Sequence, residues 1–244
     1  MTKPLSLIFG KGNAKLNKTI LTFSLPAGST CPFAKDCKAS VKKINGHYKL
    51  FRDKDAKFQC FAASSEAAFP NVFLSRQYNL KLLKEAKTED KMYELIKSSL
   101  AKRKFDKVRI HVSGDFFSES YLNAWIRVAK DFKDKLFYAY TKSVKFIVNQ
   151  KDNIPSNLVI TCSMGGKDDE LVIKNNLKRV KVYFHPDDAL KDGNMIDHDD
   201  SLAINPNIKE FGLLLHGIQA KDSDAAKALK RMREENIEYS YHSK

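Results

Sequence analysis

Short β-like runs alternate with stretches of helical spacing along most of the chain. The β-like runs, rich in β-branched and aromatic residues, are 20–24, 108–113, 136–141, 158–163, 180–185 and 212–216, with a weaker one at 202–204. Apolar residues three and four positions apart predict helices at 65–87, 89–104, 118–132, 145–150, 168–177 and 222–236. This alternation indicates a parallel sheet, either a partial (β/α)6 barrel or an open doubly wound sheet.

Polar side chains on one face of several runs favour the barrel. They are Arg109, His111, Ser113 and Asp115, then Tyr138 and Tyr140, then Thr161 and Ser163, then Lys181, Tyr183 and His185. Buried polar groups are costly unless they are paired or used, so this pattern predicts a polar cavity between the strands. An antiparallel sheet with one solvated face alternates in the same way, but helices separate these runs. We therefore expect an α/β fold, a partial (β/α)6 barrel with parallel strands.

The strand ends carry small hydroxyls, glycines and titratable groups. Examples are Ser113-Gly114-Asp115 after one run, Thr141 at the end of the next, and Ser163 at the end of the third. Ligands bind at the carboxyl ends of parallel strands, and a glycine there lets the backbone approach a ligand closely. These ends therefore predict a binding site.

Three of the four cysteines, Cys31, Cys37 and Cys60, follow the first strand in a loop of about residues 25–64. A strand that leads into a cysteine-bearing loop is typical of a barrel enzyme with an iron–sulfur cluster at the mouth of its sheet. Zinc is the alternative, with Cys162 or His47 as the fourth ligand. Inert packing is the remaining interpretation, and Cys162 within a β-run fits it best.

The composition predicts the number of domains and the cellular compartment. The 244 residues hold no linker rich in Pro, Gly or Ser, so we expect residues 1–244 to form a single α/β domain. The apolar stretch at 5–9 is too short for a signal peptide and no run is long enough to span a membrane, which predicts a cytoplasmic protein with reduced thiols.

The net charge of the chain is +14, with 12 Lys or Arg against 3 Asp or Glu in residues 1–60. We expect an anionic macromolecular partner, with nucleic acid the first candidate. The oligomeric state is left open.

Several strings resemble the bacteriophage gene product eighty-eight family over roughly residues 10 to 170. They are NAKL at 13–16, TFSLPAG at 22–28, CP at 31–32 with Cys37, CFAAS at 60–64, HVSGDFF at 111–117 and FYAYTKS at 137–143. The resemblance implies a phage or prophage origin and action in the cytoplasm of an infected bacterium.

A more distant resemblance is to radical S-adenosylmethionine enzymes, in the order of the elements. It implies a [4Fe–4S] cluster on Cys31, Cys37 and Cys60, although the cysteines are spaced by five and then twenty-two residues instead of three and two. The implied S-adenosylmethionine-binding residues are Ser113, Gly114, Asp115, Thr141 and Ser163, and the implied catalytic residues are His111, Asp115, Tyr140 and His185. The alternative function is a zinc-stabilised, basic nucleic-acid-binding protein without catalysis.

Overall fold

The computed structural model describes residues 5–12 and 19–238, so the string at 13–16 lies outside the described residues. The described strands are β1 (Gly10–Lys11), β2 (Ile20–Ser24), β3 (Ala39–Ile44), β4 (His47–Arg52), β5 (Lys107–Ser113), β6 (Leu136–Thr141), β7 (Leu158–Ser163), β8 (Arg179–Tyr183) and β9 (Glu210–Leu214). Seven form one sheet in the order β1-β2-β5-β6-β7-β8-β9, and β3 pairs with β4. β1 is antiparallel to β2, whereas β2 and β5 to β9 run parallel.

The parallel strands follow one another in the sheet in the same order as along the chain. This order and the alternating helices confirm a mixed α/β fold with a mostly parallel sheet. The sheet is open, with β1 and β9 at its edges and no closure between the described strands. The expectation of a partial (β/α)6 barrel is therefore confirmed only at this coarser level.

The described helices are α1 (Phe61–Ala68), α2 (Pro70–Ala86), α3 (Glu89–Ala101), α4 (Glu119–Asp131), α5 (Val144–Gln150), α6 (Asp169–Lys174), α7 (Pro186–Lys191), α8 (Ser201–Ile204) and α9 (Asp224–Glu234). The hydroxyl of Ser118 accepts a hydrogen bond from the Tyr121 amide and begins α4. None of the described helices has both the length and the apolar character needed to cross a membrane.

Two predicted elements were wrong. The helix expected at 65–87 is divided into α1 and α2, because Pro70 begins a new helix and holds Phe69 in an extended conformation. The weak strand expected at 202–204 is the short helix α8. Lys178 holds this helix in place, because its Nζ donates to the carbonyls of Leu202, Asn205 and Ile208 at 2.6–2.9 Å.

Helices cover one face of the sheet. Trp125 and Leu122 of α4 pack against Val108, Ile110 and Phe137, which are completely buried. On the other face a smaller cluster packs against Ala203 of α8. Its strand residues are Tyr138, Val159, Val180 and Phe211. On this second face α8 therefore covers part of the sheet, and the cysteine segment lies at the carboxyl ends of the strands.

The cysteine segment, residues 25–60, lies across the carboxyl ends of the strands. The Leu25 amide donates to the Ser113 carbonyl, and a bridge joins Ala34 to Gly166 after β7. Near its end, the Gln59 amide donates to Oε1 of Gln219, beyond β9, at 2.8 Å. These contacts hold the segment over β5, β7 and β9.

This segment is more regular than the loop expected at 25–64. It contains the β3–β4 hairpin, in which Asn45 and Gly46 form the turn with φ of 50° and 83°. Two residues with positive φ are what a tight hairpin turn between right-twisted strands requires. The segment therefore combines a hairpin with the cysteine-bearing loops on either side of it.

Candidate functional site

A cavity of about 180 Å³ lies at the carboxyl ends of the parallel strands, beneath the cysteine segment. The residues of the expected site that line it are Cys31, Cys37, Cys60, His111, Ser113, Gly114, Asp115, Tyr140, Thr141 and Ser163. The fold therefore brings ten of the residues singled out in the sequence to one cavity.

The three cysteines are free thiols that share this cavity. Burial raises the pKa of Cys31 well above its ordinary value, and the charges of Asp115 and Cys60 raise it further. Burial raises the pKa of Cys60 to about 12, with a further contribution from Cys37 and partial relief from the amides that begin α1. Without a cation these thiols are therefore protonated, and a bound metal would have to displace their protons.

The three thiols of the described structure do not form a site for a single metal ion. Within residues 5–12 and 19–238, no three His, Cys, Asp or Glu side chains form a group that could hold a metal ion. A single zinc ion needs its ligands close together, since each lies about 2.0–2.3 Å from the metal. In an iron–sulfur cluster each thiolate binds a different iron, so the cysteines stand farther apart.

The carboxylate of Asp115 is buried and held by three donors. Oδ1 accepts from the Phe116 amide at 2.7 Å and from the Thr141 hydroxyl at 2.5 Å, and Oδ2 accepts from the Lys142 amide at 2.8 Å. Burial raises the pKa of Asp115 to about 6, against the lowering effect of these hydrogen bonds. The side chain therefore joins the ends of β5 and β6 and presents a fixed carboxylate at the cavity.

Gly114 lets the chain pass beneath the cysteine segment. Its φ is +83°, and a Cβ placed there would lie 2.6 Å from the Thr30 hydroxyl oxygen and 2.7 Å from Cβ of Leu25. The position therefore requires glycine for both conformation and space.

His111 does not follow the alternation expected for β5. The register between β2 and β5 shifts here, because Thr22 pairs with Arg109 but Ser24 pairs with Ser113. His111 has a φ of +65°, and its Nε2 lies 3.0 Å from the Tyr121 hydroxyl on α4. Such a bulge re-aims side chains. The ring of His111 therefore packs towards α4, among aromatic residues, although the residue borders the cavity.

The titration of this ring gives a testable pH dependence. Burial lowers the pKa of His111 from 6.5 to about 3, so the unfolded chain takes up a proton below pH 6.5 that the folded chain does not. Stability should therefore fall as the pH decreases, by about 3 kcal/mol for this group between pH 7 and pH 4. In denaturant unfolding, His111→Gln should lose about 3 kcal/mol less than the natural chain over this range. The strain of the positive φ cancels in this comparison, and equal losses would contradict the burial of the ring.

A buried ion pair borders the cavity, which Arg109 helps to line. Arg109 Nη1 is 2.8 Å from Asp200 Oδ2, and the Tyr138 and Tyr140 hydroxyls donate to the same carboxylate at 3.0 and 3.3 Å. Burial and the charge of Asp200 raise the pKa of both tyrosines, so the phenols remain protonated donors. The Arg109 guanidinium also lies 5.0 Å from the centre of the Tyr140 ring. This network fixes Tyr140, whose ring lines the cavity.

Lys142 and Glu66 are among the polar residues near the cavity that were not expected as site residues. The Nζ of Lys142 donates to the carbonyl oxygen of Ser163 at 3.0 Å and to its hydroxyl oxygen at 2.8 Å. Burial raises the pKa of Cys37, and the charge of Lys142 opposes this by lowering it. Glu66 on α1 is 1% exposed, and its Oε1 accepts from Arg76 and from the Ala27 amide. In the sequence, Lys142 is only a lysine near a strand end and Glu66 only a glutamate within a helix. Neither belongs to a motif that would predict a site residue.

Some expected residues lie elsewhere. His185 begins α7, where Nδ1 accepts from the Asp187 amide and Nε2 lies 2.8 Å from Glu235, which follows the last residue of α9. Cys162 is 1% exposed and packs with Val144 and Val172 under α5 and α6. His47 is exposed at the hairpin turn. None of these three lines the cavity, so neither fourth ligand suggested for zinc joins the three cysteines there.

Comparison with known proteins gives one family. The family model described as Gene product 88 matches residues 7–234. The Gene 88 protein of Mycobacterium phage D29 is 36% identical over 90 residues, and that of Mycobacterium phage L5 is 36% identical over 91 residues. Each match covers 34% of this chain and 38% of the relative, so the chain spans well under half of the curated relatives' length. No solved structure matches the chain.

Proposed function

The chain belongs to the Gene product 88 family, and from that premise we propose that it is a phage-encoded iron–sulfur enzyme of the radical S-adenosylmethionine type. We place its action in the cytoplasm of the infected bacterium. The observation that carries the proposal is the position of Cys31, Cys37 and Cys60, which line one cavity at the carboxyl ends of six parallel strands. Substrates of α/β enzymes bind at this end of the sheet.

The donor set suits a cluster with one open position. Three thiols reach the cavity, whereas the fourth, Cys162, is buried under α5 and α6. A [4Fe–4S] cluster on three cysteines keeps one iron for an external ligand. The cluster and S-adenosylmethionine would supply one-electron chemistry when bound. In this proposal the six parallel strands curve around the cofactors as a partial (β/α)6 barrel.

The chain's own residues would bind and orient S-adenosylmethionine. Asp115 would offer a fixed negative charge for its ammonium, beside the Ser113 hydroxyl, and the backbone of Gly114 would border the cofactor. Thr141 and Ser163 complete the polar rim, each tied to a charged neighbour, Asp115 or Lys142. Tyr140 is held by Asp200 and would contact the substrate, while His111 would position the bulged end of β5.

Metal analysis tests this proposal directly. Protein purified without oxygen should be brown and contain iron and acid-labile sulfide. Replacing Cys31, Cys37 or Cys60 by Ala should each remove both, because a cluster held by two thiolates is easily lost. The measurements are the iron content, the sulfide content and the absorption of visible light, and none of them depends on an enzymatic assay.

The matched control is Cys162→Ala, which removes a thiol that packs away from the cavity. This variant should keep its iron and lose about 1 kcal/mol of stability through the small cavity it creates. Colourless protein with one zinc per chain would overturn the proposal in favour of the zinc-stabilised binding protein. Loss of iron in the control as well would show that the cluster does not depend on the three cavity cysteines.

A further inference from the structure

The β3–β4 hairpin has two unlike faces. On one face Val41 and Leu50 pack against α1, and the Tyr48 ring lies 4.9 Å from the Phe73 ring of α2. Residues directly opposite in an antiparallel pair share a face, so the register defines the other face. This face, called here the outer face of the hairpin, consists of Ser40, Lys42, Ile44, His47, Lys49 and Phe51.

The outer face carries a pair of like charges, Lys42 and Lys49. Lys42 and Lys49 are directly opposite each other and both are exposed. Like charges in this position destabilise a hairpin. Within the part of the chain that the structure describes, no carboxylate forms an ion pair with either lysine. The arrangement costs stability in the free protein, and an anionic ligand would relieve it.

An exposed aromatic ring lies beside these charges. Phe51 is 43% exposed, and the Nζ of Lys42 lies 5.4 Å from the centre of its ring. The segment between Cys31 and Cys60 contains eight Lys or Arg against three Asp, so the surroundings are also basic. Basic side chains interleaved with an aromatic ring are the features by which proteins bind single strands, with phosphates on the cations and a base stacked on the ring.

We infer that the outer face of the hairpin binds single-stranded nucleic acid. Lys42 and Lys49 contact successive phosphates, and Phe51 stacks on an unpaired base. A single strand fits better than a duplex, because the face of a base is available to Phe51 only when the base is not stacked in a helix. This inference goes beyond the proposed function and does not depend on it.

Binding of a fluorescent 12-nucleotide single strand tests the inference. We expect the affinity, measured by anisotropy between 50 and 200 mM salt, to fall steeply with salt. In Lys42→Gln/Lys49→Gln the slope of log affinity against log salt should be shallower by about 1.4, as expected for two lost phosphate contacts. Phe51→Ala should weaken binding roughly 5- to 100-fold at each salt concentration with little change of slope, because stacking releases no counterions.

The control Lys227→Gln/Lys230→Gln makes the same charge change on exposed positions of α9 and should leave the slope unchanged. The Lys42→Gln/Lys49→Gln variant should melt at the same or a higher temperature, which separates lost binding from lost folding. Equal effects of the two double variants, or no binding at 50 mM salt, would overturn the inference. Equal binding of duplex and single strand with no effect of Phe51→Ala would also overturn it. Binding that persists in the cysteine variants would leave it intact even if the cluster were absent.

Discussion

Replacing Gly28 by Ala is expected to lower the free energy of unfolding by about 2–5 kcal/mol and to disturb the cysteine segment. Gly28 has a φ of +73°, and a Cβ there would lie 2.1 Å from the carbonyl oxygen of Ala39. The left-handed conformation costs about 1–2 kcal/mol for a residue with a side chain, and overpacking against backbone adds about 1–3 kcal/mol. The Gly28 carbonyl accepts the Cys31 amide at 3.1 Å, so Cys31 should move with it. Denaturant unfolding measures the first effect, and the iron content of the proposed cluster measures the second.

Gly46 provides the matched control. Its φ is +83°, but a Cβ there would have no neighbour within 4 Å. Gly46→Ala should therefore lose only the conformational cost of about 1–2 kcal/mol and keep the iron of the proposed cluster. Equal destabilisation of the two variants would mean that the close approach of Gly28 to β3 has no energetic weight.

Replacing Arg109 by Met should cost about 3–5 kcal/mol of unfolding free energy, the effect of breaking a buried ion pair from one side. The Asp200 side chain is 2% exposed, and its carboxylate keeps the Tyr138 and Tyr140 hydroxyls but loses the guanidinium. A buried carboxylate without its cation is destabilised by desolvation. Chemical unfolding at pH 7 measures the loss.

The double variant Arg109→Met/Asp200→Asn removes both charges. Asn tolerates the φ of +66° at position 200. Its amide oxygen accepts from one tyrosine hydroxyl, and its NH2 group donates to the oxygen of the other. We expect the double variant to recover at least half of the stability lost in Arg109→Met. A double variant as unstable as the two single variants added together would show that the charge of Asp200 is not balanced by Arg109.

Much of the sheet could be predicted because its strands are short runs rich in β-branched and aromatic residues, separated by stretches of helical spacing. The predicted runs at 136–141 and 158–163 coincide with β6 and β7. The hairpin β3–β4 was predictable too, since Asn45 and Gly46 separate two alternating stretches, but the expectation of one long loop concealed it. The cysteines and the strand ends indicated the cavity because parallel strands end at the same edge.

Other features depended on contacts that spacing does not reveal. The bulge at His111 turns its side chain to the helical face, and no glycine or proline marks the position in the sequence. The role of Lys142 depends on the carbonyl oxygens of Ser163 and Met164, which come from the next strand. The place of His185 depends on Glu235, fifty residues later. In each case the partner comes from another element of the fold.

The contact between Gln59 and Gln219 has a consequence for the synthesis of the protein. The two residues are 160 positions apart, and the three cavity cysteines all lie at or before position 60, near the early end of this contact. At about 5–20 residues per second, a ribosome needs roughly 8–30 s to reach Gln219 after it has added Gln59. During much of this interval Cys31, Cys37 and Cys60 have left the ribosome while later strands of the sheet are still missing. The nascent thiols are thus open to oxidants, and equally to metal-delivering proteins, well before the cavity closes around them.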